Sequence, residues 1–323
     1  MLLESLPKIS IVTISYNQGK YLEETIQSVL SQNYPNLEYI IIDGGSTDNS
    51  VEIIKKYEGQ LSYWESAKDK GQYYAVEKGL NMCTGDIMAW INSDDKYLPN
   101  SFQTVADVFT QLPQVNWLMG IPGEFNEKGS SINRIALPWA RWSKYRYLTN
   151  DFQYIQQESS FWRRHVWEMA GSKMDHNIKY AGDMELWTRF FRREKLYTVL
   201  SNLAGFRHRN ENQVSKTFGN EYLGECRSLV KRERKLLNTS ERAYVFWLQL
   251  LRFPWSIFFF LDIPIFSKVY SQFFKIPTPI AFDLNKSNYR LVNYYIKYPP
   301  VLIGNWIIQR KPKRIKAYEP KGN

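Results

Sequence analysis

Adjacent aspartates are the residues of this chain with the sharpest potential for chemistry. Asp94 and Asp95 follow the apolar run Ile87–Ile91, within the sequence Asn92-Ser93-Asp94-Asp95. Two neighbouring carboxylates repel each other and lose hydration when they are buried. A divalent cation that prefers oxygen ligands, Mg²⁺ or Mn²⁺, offsets both costs and can also bind phosphate oxygens. The alternative is a solvated turn before a helix that starts at Ser101.

Two further polar sets also follow apolar runs of strand length. Tyr16-Asn17 comes after Ile9–Ile14, and Asp43-Gly44-Gly45 comes after Leu37–Ile42. The carboxyl ends of parallel strands meet at one edge of a sheet, where such sheets bind ligands. We therefore expect the three sets to converge on one site. No G-x-G-x-x-G follows the first strand and no Walker sequence occurs, which disfavours a dinucleotide-dependent dehydrogenase and a P-loop enzyme.

Alternating strands and helices are needed to position these sets. Apolar spacing predicts helices over Tyr21–Gln32, Gly71–Met82 and Ser101–Phe109, and a third strand over Leu61–Glu65. This alternation with short connections predicts an α/β fold, a mostly parallel sheet with helices on both faces. The chain beyond residue 110 is less regular. The expected elements there are helices over Glu158–Gly171, Asp183–Arg193 and Ser228–Leu237, and a loop over Gly205–Gly219.

Charge divides the chain of 323 residues, whose net charge is +10. Residues 1–225 hold 24 basic and 27 acidic residues, whereas residues 226–323 hold 18 and 5. We therefore predict a catalytic α/β domain over 1–225 and a mainly helical, basic and aromatic region over 226–323. The 2 cysteines and 3 histidines disfavour a disulfide scaffold and a zinc site built from Cys or His.

The order of these motifs resembles that of the family 2 glycosyltransferases, enzymes of GT-A fold that transfer a sugar from a nucleotide-sugar donor. The resemblance covers roughly residues 7–220. The matching pieces are Ile11–Asn17, Tyr21–Tyr34, Ile42–Asp48, Asp69-Lys70-Gly71, Asn81–Asp86 and Asn92–Asp95. Each piece is weak alone, whereas six pieces in the family's order and spacing are a specific signal.

The resemblance implies a nucleotide pocket at the first strand ends. Asp43 would accept a hydrogen bond from the base, and Thr13 and Tyr16 would line the base pocket. Asp69 and Lys70 would contact the base or the phosphates. Taken alone, the same residue types also suit a helix cap at Asp43, packing at Thr13 and Tyr16, and a surface turn at Asp69 and Lys70.

The resemblance also implies a metal and a base. Asp94 would hold the ribose, and Asp95 would hold the Mn²⁺ or Mg²⁺ ion that neutralises the diphosphate leaving group. Asp183 matches the base that deprotonates the acceptor hydroxyl in an inverting transfer. Glu185 is the runner-up, although it could pair with Arg189 four residues further along the helix. Many relatives carry Glu where this chain has Gly182.

A flexible loop that resembles the family's donor loop spans Gly205–Lys216. It implies contacts from His208 to the metal or the diphosphate, and from Arg207 or Lys216 to the phosphates. A lone histidine is otherwise more often a structural or surface residue.

The basic region mixes aromatic and basic side chains over Arg242–Phe274 and again over Trp306–Lys316. Prolines and charges interrupt it, so we expect short amphipathic helices that lie in a membrane interface and meet anionic lipid. Packing on the catalytic domain and a solvated tail are alternatives, and no nucleic-acid module is recognisable. With no visible signal peptide, the expected location is cytoplasmic, peripheral on the inner face of the cell membrane.

Together these features predict an inverting, metal-dependent glycosyltransferase of hexosyl or N-acetylhexosaminyl type. It would use a UDP- or dTDP-sugar and act on a lipid-linked or polysaccharide acceptor in cell-surface glycan biosynthesis. One alternative is a nucleotidyltransferase that acts on sugar phosphates, although Tyr16–Gly19 supplies no Gly-rich triphosphate loop. The other is a non-catalytic, membrane-associated scaffold.

Overall fold

The computed structural model describes residues 6–132, 141–151, 155–210, 213–260 and 264–292, with the backbone at 302–303 and 306–307. The strands are β1 (Ile9–Ser15), β2 (Leu37–Asp43), β3 (Tyr63–Ser66), β4 (Ile87–Asn92), β5 (Lys96–Tyr97), β6 (Trp117–Met119), β7 (Gly123–Phe125), β8 (Ser160–Arg163), β9 (Leu196–Thr198), β10 (Ala204–Arg207), β11 (Ile280–Asp283), β12 (Asn288–Leu291), β13 (Leu302–Ile303) and β14 (Trp306–Ile307). The helices are α1 (Gly19–Leu30), α2 (Ser50–Tyr57), α3 (Gln72–Met82), α4 (Ser101–Gln111), α5 (Lys144–Leu148), α6 (Arg164–Met169), α7 (Gly182–Phe190), α8 (Val214–Thr217), α9 (Gly219–Leu236), α10 (Thr239–Phe260) and α11 (Pro264–Phe273).

A seven-stranded sheet in the order β3-β2-β1-β4-β8-β6-β9 forms the centre of the fold. Strands β3, β2, β1 and β4 are mutually parallel, and β6 is parallel to β9. Only β8 is antiparallel to its neighbours β4 and β6. The expected mostly parallel α/β fold is therefore confirmed. A smaller sheet, β5-β10-β7, pairs the segment after Asp95 with the segment that ends at Arg207.

Alternate residues of the central strands supply two cores. Val12 and Ile40 pack in one core with residues of α3 and α7. Ile11 and Ile41 pack in the other with residues of α1 and α4. Because β1 and β2 are buried on both faces, they are apolar almost throughout, which is why the sequence marks them so clearly.

Three expected elements are wrong in part. The helix predicted over Glu158–Gly171 is a strand in its first half, because Ser160–Arg163 form β8 between β4 and β6. Those partners are distant in sequence, so the local apolar spacing carries no sign of them. The predicted loop Gly205–Gly219 contains the end of β10 and the short α8, and the helix predicted from Ser228 begins at Gly219.

The C-terminal region also differs from expectation. Helix α10 is 22 residues long and continues through Pro254, where a break was expected. The hairpin β11–β12 contacts the segment after β9, since the amide of Leu200 donates to the carbonyl of Ile280 at 2.7 Å. Within the described residues, no helix combines the length and apolarity needed to cross a membrane. Apart from the backbone at 306–307, the basic segment Trp306–Lys316 lies outside the described residues.

A buried carboxylate joins the amino ends of the first strands. Glu38 on β2 accepts hydrogen bonds from Lys8 Nζ at 2.7 Å and from Ser10 Oγ at 2.5 Å. The amide and hydroxyl of Thr84 each donate to it at 2.7 Å. Burial alone would raise the pKa of Glu38, but these bonds outweigh it and lower the pKa to about 2. The network thus fixes the sheet at the end opposite the polar strand ends.

Replacing Glu38 with Gln is expected to reduce the free energy of unfolding by about 2 kcal/mol at pH 7, since hydrogen bonds to a charged group contribute about 1.5–3 kcal/mol. The folded pKa is lowered, so this stabilisation is present above the ordinary value of 4.5 and is lost as pH falls towards 2. Urea unfolding at pH 7 and pH 3 measures it, with the exposed Glu168→Gln as control. An equal loss at both pH values would contradict the account.

Candidate active site

Side chains tie together the loops that follow β1 and β2. Asn17 has a left-handed φ of 51°, and its Oδ1 accepts a hydrogen bond from the amide of Thr47 at 2.8 Å. Asp48 Oδ2 accepts from the amide of Gly19 at 2.9 Å. Because each loop holds the other, the two strand ends form one surface.

Asp43 is fully buried, and the chain itself occupies its carboxylate. Oδ2 accepts hydrogen bonds from the amides of Gly45 at 3.1 Å and Ser46 at 2.8 Å, and from Ser66 Oγ at 2.6 Å. Oδ1 accepts from Ser46 Oγ at 2.5 Å. Asp43 therefore shapes the turn after β2, and a bound base would reach it only in exchange for one of these bonds.

Tyr16, Gly44 and Asp69 lie close together beside that turn. A Cβ atom added to Gly44 would lie 3.0 Å from Asp69 Oδ2 and 3.4 Å from Tyr16 Cδ2. The Tyr16 side chain is 60% exposed, so its ring is open to a stacking partner. Lys70 lies nearby, with its Nζ 5.9 Å from the Tyr74 ring centroid. An aromatic face beside a carboxylate suits a nucleotide base, which stacks on rings and offers N–H donors.

Asp95 is buried where β4 ends, and Asp94 is nearly so. The Thr25 hydroxyl donates to the carbonyl of Asp95 at 2.6 Å and so fixes the turn. Asp95 Oδ1 accepts from the amide of Arg207 at 2.8 Å. Asp94 Oδ2 lies 3.1 Å from Nε of Arg209, in an ion pair that is largely shielded from solvent.

The Arg207 guanidinium faces the interior of the protein. Its side chain is 1% exposed and lies 2.5 Å from Glu24 Oε2. Its Nε donates to the carbonyl of Asp94 at 2.5 Å. Arg207 thus fastens β10 to the Asp94-Asp95 turn, and the arginine whose charge reaches an Asp94 carboxylate oxygen is Arg209.

Two other loop residues are also engaged within the protein. His208 Nε2 lies 2.7 Å from Glu124 Oε2 on β7. Lys216 Nζ donates a hydrogen bond to the carbonyl of Arg209 and so joins α8 to the loop before it. The contacts of His208 and Lys216 are thus with β7 and with the loop itself, whereas Arg207 and Arg209 contact the Asp94-Asp95 turn.

The carboxyl groups at this edge have raised pKa values. Burial raises the pKa of Asp95 well above its usual range, and the charges of Asp94 and Glu158 raise it further. Burial also raises the pKa of Asp94, although Arg209 opposes this shift. The pKa of Glu158 is raised to about 8 by burial, with contributions from Asp183 and Asp94. Such clusters of shifted carboxyls are typical of functional sites.

Asp183 lies in the first turn of α7. Its Oδ2 accepts a hydrogen bond from the Tyr222 hydroxyl at 3.3 Å. Its Oδ1 is buried and has no hydrogen-bond partner among the described residues. Burial raises the pKa of Asp183 to about 6, and the amide of Met184 and the Tyr222 hydroxyl partly offset the rise. A carboxylate with one unpaired oxygen and this pKa suits a general base.

The start of α7 is held by two side chains. The Glu225 carboxylate accepts hydrogen bonds from the amides of Tyr180 and Ala181, both at 2.8 Å. The amide of Gly182 donates to the Tyr73 hydroxyl at 2.8 Å, and a Cβ atom on Gly182 would lie 2.4 Å from the Tyr73 ring. Glycine at this position is what allows Tyr73 to pack against α7.

Two candidate residues are engaged away from any open surface. Thr13 Oγ1 lies 2.9 Å from the Tyr39 hydroxyl, and both groups are buried. Glu185 is 3% exposed and forms ion pairs with Arg189 at 2.8 Å and with Arg232 at 3.3 Å. Of the two predicted bases, Asp183 is therefore the one with an unpaired oxygen.

Four residues of this edge were not among the sequence candidates: Glu158, Arg209, Tyr222 and Glu225. Arg209 lies inside the loop Gly205–Lys216 that resembles a family motif, so its position could have been flagged from sequence. Glu158 stands at the start of a segment whose apolar spacing predicts a helix, which gives no sign of its place beside β4. Tyr222 and Glu225 come from α9, where no motif marks them, and only the packing of α9 on α7 reveals their contacts.

Comparison with known proteins shows which family this chain resembles. Residues 10–171 match the family model described as Glycosyl transferase family 2. An uncharacterized glycosyltransferase of Rickettsia typhi is 25% identical over 194 residues, and the match covers 59% of this chain but only 61% of that relative's length. YibD, an uncharacterized glycosyltransferase of Escherichia coli, is 27% identical over 263 residues, which cover 75% of this chain and 74% of YibD. TuaG of Bacillus subtilis, a putative teichuronic acid biosynthesis glycosyltransferase, is 38% identical over 96 residues, which cover 28% of this chain and 37% of TuaG.

Solved structures share the architecture. Residues 1–349 of Staphylococcus aureus TarS, in complex with UDP-GlcNAc, match 75% of this chain and 71% of that chain with a TM-score of 0.61 and 16% identity. The mannosyltransferase PcManGT of Pyrobaculum calidifontis, in complex with GDP-Man and Mn²⁺, matches 67% of this chain and 61% of that chain with a TM-score of 0.54 and 16% identity. At such identities the likeness shows the fold, and the expected GT-A fold is confirmed.

Proposed function

This chain belongs to glycosyl transferase family 2, and from that premise we propose that it transfers a sugar, with inversion, from a UDP- or dTDP-sugar to a hydroxyl group of a lipid-linked or polysaccharide acceptor. The observation that carries the proposal is the buried Oδ1 of Asp183, which has no hydrogen-bond partner among the described residues. Asp183 and Asp94 are both close enough to Glu158 to raise the pKa of that carboxyl. An unpaired buried carboxylate oxygen costs stability, so a non-catalytic scaffold would have no reason to keep it.

The donor pocket is proposed at the first strand ends. The nucleotide base would stack on Tyr16 and hydrogen-bond to Asp43 or Asp69, with Lys70 near the phosphates and Thr13 behind the pocket wall. TarS and PcManGT, which share the fold, were solved with UDP-GlcNAc and GDP-Man. These ligands support a nucleoside diphosphate sugar as the class of donor.

We propose that a divalent cation binds at the Asp94-Asp95 edge. In the part of the chain that the structure describes, no three His, Cys, Asp or Glu side chains are grouped to hold a metal ion. Mg²⁺ and Mn²⁺, however, are usually bound through one or two carboxylates together with substrate phosphates. We assign the cation to Asp95, with His208 as a further ligand, and the ribose to Asp94. When bound, the cation would neutralise charge on the departing diphosphate.

The diphosphate would also meet the donor loop. The sequence candidates were Arg207 and Lys216, but Arg207 is committed to Glu24 and to the Asp94 carbonyl. We therefore assign to Arg209 the contact expected of Arg207. A bound diphosphate would compete with Asp94 for the Arg209 guanidinium, and Lys216 would keep the loop in place through the Arg209 carbonyl.

Asp183 carries the proton transfer. Its Oδ1 would accept the proton of an acceptor hydroxyl as that oxygen forms its bond to C1 of the sugar. The bond from C1 to the diphosphate oxygen breaks on the opposite side, so the configuration inverts and the nucleoside diphosphate leaves. Tyr222 holds Oδ2, which orients the remaining oxygen towards the acceptor.

The acceptor is proposed to lie at a membrane. Phe246, Trp247 and Leu250 are each at least half exposed, and their spacing places them on one face of α10. Residues 226–323 carry 18 basic and 5 acidic residues, a net charge that attracts anionic lipid. We therefore propose peripheral attachment through this face. TuaG, a putative teichuronic acid biosynthesis enzyme, supports a cell-surface polymer as the end product.

Replacing Asp183 with Asn is expected to reduce the rate of sugar transfer by about 10²-fold or more, since general-base catalysis contributes about 10²–10⁴-fold. Donor affinity should change little. In the wild-type enzyme, the rate should fall below pH 6, because Asp183 must be ionised to accept a proton and its folded pKa is about 6. Release of nucleoside diphosphate with an acceptor present measures both effects.

The matched control for that experiment is Asp175→Asn, which removes a partly exposed carboxylate paired with Arg232. It should transfer at the wild-type rate. Full transfer by the Asp183→Asn protein would remove Asp183 from the mechanism.

The membrane proposal predicts binding to vesicles of phosphatidylcholine with phosphatidylglycerol at low salt, but not to phosphatidylcholine alone. Trp247→Ser should weaken binding about tenfold, because burial of a large apolar side chain contributes about 1.5–3 kcal/mol. Leu284→Ser, at a site 84% exposed on the β11–β12 turn, is the control and should bind like wild type. Vesicle sedimentation that leaves the wild-type protein in the supernatant would end the proposal.

A further inference from the structure

Glu158 is a buried acidic residue near the Asp94-Asp95 edge. Neither the sequence motifs nor the proposed reaction assigns it a role. It lies just before β8, which pairs with β4 through Ile87↔Arg163 and Met88↔Trp162. Before β8, Nε2 of Gln157 donates a hydrogen bond to the carbonyl of Trp90, which places the segment that carries Glu158 beside the second half of β4. Glu158 is 3% exposed, so its carboxyl group sits inside the protein at the strand ends.

The side chains around Glu158 leave oxygens without partners. Glu158 Oε1 is buried and has no hydrogen-bond partner among the described residues. The same is true of Oε1 of Gln157 and Oγ of Ser159. Gln157 itself is held firmly, because its Nε2 donates to the carbonyl of Trp90. Three successive residues thus carry buried oxygens without hydrogen-bond partners among the described residues, which costs stability unless a ligand supplies donors.

The position of Glu158 identifies that ligand. The charges of Asp183 and Asp94 both act on Glu158, so it lies within electrostatic reach of each. In the proposed reaction, Asp183 faces the acceptor and Asp94 faces the nucleotide. In that reaction, the group that would lie between Asp183 and Asp94 is the transferred sugar. Its hydroxyl groups, or an amide N–H on an N-acetylated sugar, are the donors that an unpaired carboxyl oxygen accepts.

We propose that Glu158 accepts a hydrogen bond from the transferred sugar and is therefore a donor-specificity residue. The contact involves the sugar and not the nucleotide, so it distinguishes Glu158 from Tyr16, Asp43 and Asp94. This inference rests on the proposed function, since it requires a nucleotide-sugar donor. It adds a residue that recognises the sugar.

The test compares binding of a nucleotide-sugar with binding of its nucleoside diphosphate. A thermal-shift panel of UDP-, GDP- and dTDP-sugars with Mn²⁺ first selects the donor that stabilises the wild-type protein most. Calorimetry then gives the affinity of that donor and of the matching nucleoside diphosphate for the wild type, Glu158→Gln and Glu158→Ala. Glu168→Gln, a change at an exposed carboxylate on α6, is the control.

Glu158→Ala should weaken the nucleotide-sugar about tenfold or more and change the affinity for the nucleoside diphosphate much less. Glu158→Gln should lose less, because an amide oxygen still accepts the bond. Equal losses for both ligands would overturn the inference in favour of a structural or cation-binding role. Unchanged affinity for both would overturn it as well. A wild-type protein that binds no member of the panel would instead refute the proposed function.

Discussion

Four carboxyl side chains lie near the C-terminal ends of the parallel strands in the central sheet. The rest of the structure depends on the crowding of these side chains. Asp94, Asp95, Glu158 and Asp183 come from three distant segments, and burial raises the pKa of each. Repulsion from others of the four raises the pKa of Asp95 and Glu158 further. In water such groups would separate. Here the fold holds them together, which is costly without bound cations or hydrogen-bond donors. A metal–diphosphate–sugar ligand supplies both.

The surrounding contacts are arranged to keep that edge rigid. Thr25 fixes the turn at Asp95, and Arg207 fastens β10 to the same turn. Glu225 fixes the first turn of α7. Beneath α7, Trp187 packs against Trp90 and Trp162, with ring centroids 5.5 and 5.6 Å away. A dense aromatic layer resists displacement, so repulsion among the carboxyls cannot be relieved by movement of the elements that carry them.

The sequence predicts the first half of the fold well, because β1, β2 and β4 are apolar on both faces and the helices between them have one apolar face. It predicts β8 poorly, since that strand is defined by partners elsewhere in the chain. The same distinction holds at the site. Motif order identifies the loops, but the direction of a side chain depends on tertiary neighbours. For this reason Arg207 turns inwards to Glu24 while Arg209 meets Asp94.

The central claim is that the crowded carboxyl groups form part of a binding site for a cation and a nucleoside diphosphate. It is tested most directly by counting protons when UDP, with GDP in parallel, is titrated into the protein with Mn²⁺ at pH 7. Calorimetry in two buffers of different ionisation enthalpy gives the number. The account predicts release of on the order of one proton, because carboxyls with raised pKa values ionise when a cation binds. Binding without proton release, or no binding of either nucleotide, would contradict it.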